Sequence, residues 1–412
     1  MESQNVTCPL SFNCSGKSSK DLVSFDIGAS PSYVSIVSCI LSCLGSLLIV
    51  LAFCLLKDLR TTTQKIITFL AIADFISAVG YIFGSVNFLT HFGKTNSSEC
   101  QVFLILCEAQ ATITAWSSLV SFFWTVFLAL HFFLIIVFKR FHFAGKLLSV
   151  YNVIAWGVPL IIILPLLGTG KLGYAPYAAS NWCYVKDYNY HGLRQNELTV
   201  VFILVAGKGW EFISYMCVTV LYLLIFCHIH RTRRQLQNTE IEPRMLQVEW
   251  RLMAIPMLFI LLRMWGTIQL IVSLSLPSNK DAPCITPQLR DVYLALGILQ
   301  AIGDGGQGWG NAVLYVFLSP TIRTRLFNSL CGPCVDAIKG RLVGELDTDT
   351  TTSQKPGLNH RVRNMNVNKQ DGSTSPLLPH RPATGYNIRK YDSTSSSEQS
   401  YNYEHSMSST AA

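Results

Sequence analysis

The sequence predicts an all-α membrane protein, a seven-transmembrane helix bundle followed by a short amphipathic cytoplasmic helix. Three observations carry that reading. Of 412 residues, 50% are hydrophobic and only 14% are charged, where a soluble chain carries about 25% charged residues. The apolar residues fall in long blocks separated by short polar gaps, and a spanning helix needs about 20 of them. The last block ends near Pro320, and the chain is polar from about Val335 onward. These features exclude a soluble enzyme. The net charge of +8 forms no basic stripe with interleaved aromatics, which argues against nucleic acid as a partner.

In chain order, residues 1–30 form an outer amino-terminal segment and 31–318 the membrane domain. The spans read as 31–56, 64–89, 101–137, 147–167, 197–227, 248–276 and 291–318. Nothing before Pro31 has the apolar core of a cleaved signal peptide, so the first span serves as the insertion signal. The length of the third suggests tilt or a cytoplasmic extension. Within 319–334, Ile322, Leu326, Phe327 and Leu330 recur at helical spacing while Arg323 and Arg325 face away. That pattern suits a short juxtamembrane helix lying on the membrane lipid. Residues 335–412 are rich in Ser, Thr, Asn and Pro, including Asp392-Ser-Thr-Ser-Ser-Ser-Glu398. They lack the apolar content to offset chain entropy and read as a disordered tail whose hydroxyls invite phosphorylation.

Orientation follows from the short loops. One side carries Lys57, Arg60, Lys65, Lys139, Arg140, Lys146, Arg231, Arg233, Arg234, Arg244, Arg251, Arg323 and Arg325. The other carries Lys17, Lys20, Lys94, Lys171, Lys186, Arg194, Lys280 and Arg290. The richer set belongs in the cytoplasm, which puts the amino terminus outside and the tail inside. Three glycosylation patterns, at Asn5, Asn13 and Asn96, all fall on the outer side. The expected address is the plasma membrane, crossed several times.

The cysteines sort by compartment. Cys39, Cys43, Cys54, Cys107, Cys217 and Cys227 sit in apolar spans and read as small buried hydrophobes. Cys100, at the outer start of span three, and Cys183, in the second outer loop, share oxidising surroundings. A Cys100–Cys183 bridge is expected to pin that loop over the bundle mouth. The pairing of Cys8, Cys14 and Cys284 stays open. Cys331 and Cys334, just inside the last span, are palmitoylation candidates, with an unmodified pair as the alternative.

Charges inside spans are costly and usually face the bundle interior or a water-filled cavity. The set is Asp74, Glu108, Lys208, Glu211, Arg263 and Asp304. At a rise of about 1.5 Å per residue, Glu108 lies about 12 Å and Lys208 about 16 Å below the outer surface. Arg263 and Asp304 fall near the midplane. The upper and middle bundle is therefore a polar cavity candidate for a ligand or a switch. A structural role competes at each position: Lys208 and Glu211, three apart, can pair locally, and Asp74 can join a water- or ion-filled network. Span seven carries Gly297, Gly303, Gly305, Gly306, Gly308 and Gly310, which permit close helix contact. Pro159, Pro165 and Pro256 can bend other spans.

Two patterns carry no chemistry. Gly168-Thr-Gly170-Lys-Leu-Gly173 matches a dinucleotide fingerprint but follows a membrane span rather than a strand. Span seven has no lysine for a Schiff base. There is no metalloprotease motif, nucleophile elbow or Ser/His/Asp set, and His131 and His228 stand alone near inner span ends. The chain is not expected to be an enzyme or to need a cofactor or metal.

Several runs together resemble the G-protein-coupled receptor superfamily, near its secretin-like and cyclic-AMP-receptor-like groups. They are Ser121-Phe-Phe-Trp-Thr-Val126 with Ala129-Leu130, Asn181-Trp-Cys-Tyr184 and Gly207-Lys-Gly-Trp-Glu211. Ile255-Pro-Met-Leu-Phe259, Arg263-Met-Trp265 and Gln307-Gly-Trp-Gly-Asn311 with Tyr315 complete the set. The resemblance runs from about Pro31 through Leu330. It implies an outer Cys100–Cys183 disulfide, a packing role for Trp124, a bend at Pro256, and a span-seven switch at Gln307, Gly308 and Tyr315. The rhodopsin-like Asp-Arg-Tyr motif is absent, and Leu128 replaces the secretin-like glutamate four residues after the tryptophan. With about 30 residues before span one, hormone capture by a large cysteine-rich outer domain in the secretin-like manner is not expected.

What the resemblance implies is an orphan receptor that passes an extracellular signal to a heterotrimeric G protein, with the phospholipase C and calcium branch as one route. Arrestin and receptor kinases are implied partners of the tail, and the ciliary membrane a further address. The ligand is unknown. Candidate ligand or switch residues are Asp74, Glu108, Lys208, Glu211, Arg263, Trp265, Asp304 and Gln307. A transporter or channel, or a non-signalling seven-helix scaffold, are the alternatives.

Overall fold

The computed structural model of the chain describes residues 23–24, 28–57, 60–91, 97–139, 141–175, 182–186, 197–235, 243–275, 284–285 and 287–329. All belong to one compact unit, Met1–Thr348; the second unit is Asp349–Ala412. The expectations for Asn5, Asn13, Asn96, Cys8, Cys14, Cys331, Cys334 and the tail lie outside the described residues.

The architecture is an all-α helical bundle that crosses a membrane several times. The helices are α1 (Ser30–Leu55), α2 (Thr62–His91), α3 (Ser97–Ile136), the short α4 (Phe141–Lys146) and α5 (Leu148–Gly168). They continue with α6 (Glu197–Ile203), a π turn (Leu204–Lys208), α7 (Gly209–Gln235) and α8 (Pro243–Ser275). Last come α9 (Pro287–Ala312), a second π turn (Val313–Phe317) and α10 (320–329). Among the described residues, six helices are long and apolar enough to cross a membrane: Ser30–Leu55, Thr62–His91, Ser98–Ile136, Phe143–Gly168, Leu198–Thr232 and Met253–Leu274. Residues 287–317 also form a long helix, but a more polar one. Its Gln300, Asp304, Gln307 and Asn311 are all buried within the bundle.

On α1 the burial pattern is inverted relative to a soluble protein. There Ser32, Ser35, Ser38, Ser42 and Ser46 are buried while Leu41, Leu44, Leu47 and Leu51 are exposed. Lipid solvates leucine as well as another helix does, so packing and hydrogen bonding decide which face turns inward. Several hydroxyls of α3 are satisfied within the helix, as Thr112 donates to the Glu108 carbonyl (2.8 Å), Ser117 to Ile113 (2.7 Å) and Thr125 to Ser121 (2.9 Å). That removes the cost of unpaired polar groups in hydrocarbon.

Glycines on α9 set its depth in the bundle. A β-carbon on Gly308 would collide with Ser42 and Ser46, and one on Gly303 with the Leu262 carbonyl. The Gly308 N–H also donates to Ser42 Oγ at 2.8 Å. Close contact with α1 on one side and α8 on the other is what the glycines permit. Inward of these contacts, Trp124 is fully buried and stacks on Phe69 with ring centroids 5.0 Å apart. On α10, Ile322 and Leu326 pack into this lower core, whereas Phe327, Arg323 and Arg325 are exposed.

Among the described residues, four short strands sit at the loop ends. β1 (Val23–Ser24) pairs antiparallel with β4 (Cys284–Ile285), and β2 (Leu172–Tyr174) with β3 (Cys183–Val185). The second pair roofs the site described next.

Candidate functional site

The site begins at the end of α5. The Thr169 hydroxyl donates back to the Pro165 carbonyl at 2.8 Å, and Gly170 turns the chain with φ +63°. That left-handed conformation suits glycine. The β2–β3 hairpin follows, and Lys186 Nζ closes its base on the Gly170 carbonyl at 3.0 Å. On its inner side the Cys183 N–H donates to Gln110 Oε1 at 2.8 Å. Phe103 meets Tyr174 edge to face at 5.6 Å, and Tyr81 meets Trp182 at 5.5 Å.

The hairpin is bonded to α3 through Cys107–Cys183. This corrects the expected Cys100–Cys183 bridge. Cys100 and Cys107 stand seven residues apart, two turns along one face of α3, so sequence position alone favoured the one nearer the surface. The hairpin instead reaches two turns deeper, where Gln110 receives it. Cys107, expected to be a buried hydrophobe, is buried because it is bridged. Cys100 belongs to a different disulfide.

Tyr184 carries the hairpin into the helix ladder. Its hydroxyl donates to the Ile203 carbonyl at 3.2 Å and interacts with the Lys208 backbone. Ile203 precedes the π turn and Lys208 ends it, where the regular backbone ladder is widened. A side chain inserted into the ladder is a known cause of such a break. Burial pushes the Tyr184 phenol above its ordinary range, with the Glu211 charge adding to it, so the hydroxyl keeps its proton. The Trp210 indole donates to the Val205 carbonyl at 3.2 Å on the same turn.

Two ion pairs lie beneath the hairpin. Lys208 Nζ meets Glu211 Oε2 at 2.9 Å, and the Arg263 guanidinium meets Asp304 Oδ1 at 3.2 Å. Glu211 also accepts from Tyr215 and Thr267, each at 2.6 Å. It thereby joins α7 to α8, whereas most of the packing of α8 is on α9. Gln300 Nε2 donates to Asp304 Oδ2 at 3.1 Å, and Arg263 lies over the Phe122 ring at 5.2 Å. The cavity among these groups is small, about 40 Å³, with room for a few waters.

A second network lies deeper. Ser121 Oγ donates to Asp74 Oδ1 at 2.7 Å, and Asn311 Nδ2 to Asp74 Oδ2 at 2.8 Å. Gln307 Nε2 donates to Ser121 Oγ at 2.9 Å. It ties α2, α3 and α9 together around one buried carboxylate.

Four of the sequence candidates, Lys208, Glu211, Arg263 and Asp304, converge on the cavity. Asp74 and Gln307 meet in the deeper network. Glu108 is half-buried on α3 and Trp265 half-buried on α8, and neither lines the cavity. Sequence reasoning passed over Gln300, Thr267, Tyr215 and Gln110, since uncharged polar residues in a span cost less and draw less notice, and it quoted Tyr184 for the resemblance alone. Their signal was spacing: Gln300 stands one turn before Asp304, and Tyr215 one turn after Glu211.

A family model described as slime mold cyclic AMP receptor matches residues 22–273. G-protein coupled receptor 157 of Mus musculus is 33% identical over 312 residues, covering 73% of this chain and 86% of that protein. The Homo sapiens protein of the same name is 32% identical over 312 residues, covering 72% and 83%. Cyclic AMP receptor-like protein A of Dictyostelium discoideum is 27% identical over 155 residues, covering 35% and 33%. Inward-turned polar residues, lipid-facing leucines and these matches all agree: the chain belongs to the slime mold cyclic AMP receptor family of G-protein-coupled receptors, together with G-protein coupled receptor 157.

Proposed function

We propose that the chain is a seven-span receptor, amino terminus outside, that converts occupancy of the four-charge cavity into activation of a heterotrimeric G protein. The seventh span is 287–317, whose polar residues turn inward. The orientation is supported by the loop charges and by the Cys107–Cys183 bridge, which needs an oxidising compartment. α10 then lies on the cytoplasmic surface with the tail beyond it, where kinases and arrestin find their substrates.

One observation carries the reading: Glu211 joins α7 to α8 through Thr267 inside the cavity itself. An agonist shifts the population only by binding one arrangement better than the other. A ligand that draws on Lys208 or Arg263 changes the charge balance at Glu211 and Asp304, and so biases the α7–α8 and α8–α9 contacts. Movement of α7 and α8 would open a cytoplasmic groove beside the basic loop that joins them. Phospholipase C and calcium are the proposed downstream branch. Asp74, Gln307 and Asn311 are the proposed switch below the cavity.

The test is a nucleotide-exchange panel across G-protein classes, with surface expression matched between the intact receptor and Lys208→Ala and Arg263→Ala variants. Exchange in one class that both variants alter supports the reading. Equal exchange in all three proteins at equal surface density sinks it.

A further inference from the structure

We infer that Tyr222 is a positioning residue for G-protein activation: its hydroxyl holds the inner arm of α8 against α7 and so limits activation in the absence of ligand. This deepens the coupling reading above and rests on it for the signalling consequence alone. The argument begins at Pro256, in the interior of α8. Proline has no N–H, so the Leu252 carbonyl loses its ladder partner, and the ring crowds that same carbonyl. Helices bend at such points. Pro256 therefore divides α8 into an outer arm, which carries Arg263 and Thr267, and an inner arm that leads to the basic loop joining α7 and α8.

α7 is bonded to α8 on both sides of that point. Above it, Thr267 donates to Glu211. Below it, about three turns further along α7, the Tyr222 hydroxyl donates to the Met253 carbonyl. The acceptor makes this lower bond suited to release. A helical carbonyl also faces the N–H four residues further on and has two lone pairs, so parting from Tyr222 strands nothing on α8. The one group left unpaired is the hydroxyl of a half-buried residue. Among the described residues, Met253 and Ile255 otherwise share the lower core with Ile225, Tyr315 and Val316. In a bilayer such apolar contacts compete with lipid tails of equal apolarity, whereas a hydrogen bond finds no substitute there. Outward movement of the inner arm would break the Tyr222 bond while the outer arm kept its own.

The experiment pairs hydrogen–deuterium exchange with nucleotide exchange, both on the purified full-length receptor in lipid nanodiscs at matched density and without ligand. Tyr222→Phe keeps the ring and removes the donor. Tyr222→4-aminophenylalanine restores a donor at the same place. Asn152→Leu removes the bond from the Asn152 amide to the Leu148 carbonyl on α5 and serves as the control for a hydrogen bond lost elsewhere. In Tyr222→Phe, deuterium uptake is expected to quicken in α8 peptides that span Met253 and to stay level in α9. Its nucleotide-exchange rate is expected to rise about threefold to tenfold, the population shift that one lost hydrogen bond produces. The 4-aminophenylalanine variant should return both readouts to those of the unaltered receptor, and Asn152→Leu should move neither. A merely structural role for Tyr222 would not raise nucleotide exchange. Unchanged uptake around Met253 overturns the inference. So does a nucleotide-exchange rate that falls or stays level in a G-protein class that the unaltered receptor activates. Faster uptake around Met253 with no nucleotide exchange by any of the proteins in any class upholds the Tyr222 clamp and counts against the coupling reading instead.

Discussion

The Tyr184 hydroxyl lies 2.6 Å from where a β-carbon on Gly207 would stand, and donates to the Ile203 carbonyl at 3.2 Å. The β2–β3 hairpin is thereby spliced into the backbone of the helix that carries Lys208 and Glu211. Removing the hydroxyl with Tyr184→Phe keeps the ring and deletes its bonds to the Ile203 carbonyl and the Lys208 backbone, a loss of about 1–2 kcal/mol. Gly207→Ala is expected to cost more, since the methyl displaces Tyr184 and with it the turn that positions Lys208. Thermal unfolding of the purified receptor should rank them wild type, Tyr184→Phe, Gly207→Ala. The reverse order for the two variants would mean that the hydroxyl, not the close approach, holds the turn.

The Cys107–Cys183 bridge makes a mapping prediction. Peptide mass spectrometry without reduction should recover a crosslink joining the segments around Cys107 and Cys183, and none joining Cys100 to Cys183. Cys107→Ser, Cys183→Ser and the double variant should lower stability equally, by about 2–5 kcal/mol. Additive losses in the double variant would show that the two cysteines act separately.

Arg263 and Asp304 offer a test of buried charge. Arg263→Ala leaves Asp304 without its cation and is expected to destabilise the bundle by about 3–5 kcal/mol. Replacing both together, Arg263→Met with Asp304→Leu, should recover most of that loss while abolishing the response to ligand. The readouts are thermal midpoint and nucleotide exchange. A double variant no more stable than Arg263→Ala would show that the pair is not the main partner of either charge.

Below the cavity, Asp74 accepts from both Ser121 and Asn311. Asp74→Ala strands those donors in the bundle interior, at about 1–3 kcal/mol for each orphaned group. Asp74→Asn presents an amide to the Asn311 amide and should also destabilise. Exchanging the two, Asp74→Asn with Asn311→Asp, restores one carboxylate and one amide across the same contact. Surface expression is expected to recover in that swap, and a swap no better than Asp74→Asn would count against the direct bond.

The helices themselves were legible because the signal for them is local. Lipid demands about 20 apolar residues per span wherever the span sits, and most helices begin and end within a few residues of the apolar blocks, α7 running on to Gln235 past the block expected to end at 227. The Lys208–Glu211 pair was legible for the same reason, three residues apart on one helix. Gln300, Thr267 and Tyr184 were not, because nothing near them in the chain records which charge they meet.

The sequence by itself determined an apolar, many-span helical chain, its topology bias, and the few charges that must find shelter inside it. Only the tertiary structure decided which groups meet. Cys107 rather than Cys100 takes Cys183, because the hairpin descends two turns into the mouth of the bundle. Arg263 finds Asp304, because glycines let α9 close on α8 and α1. A side chain's partner depends on the depth and rotation of two helices at once, and neither is written in the pattern of one.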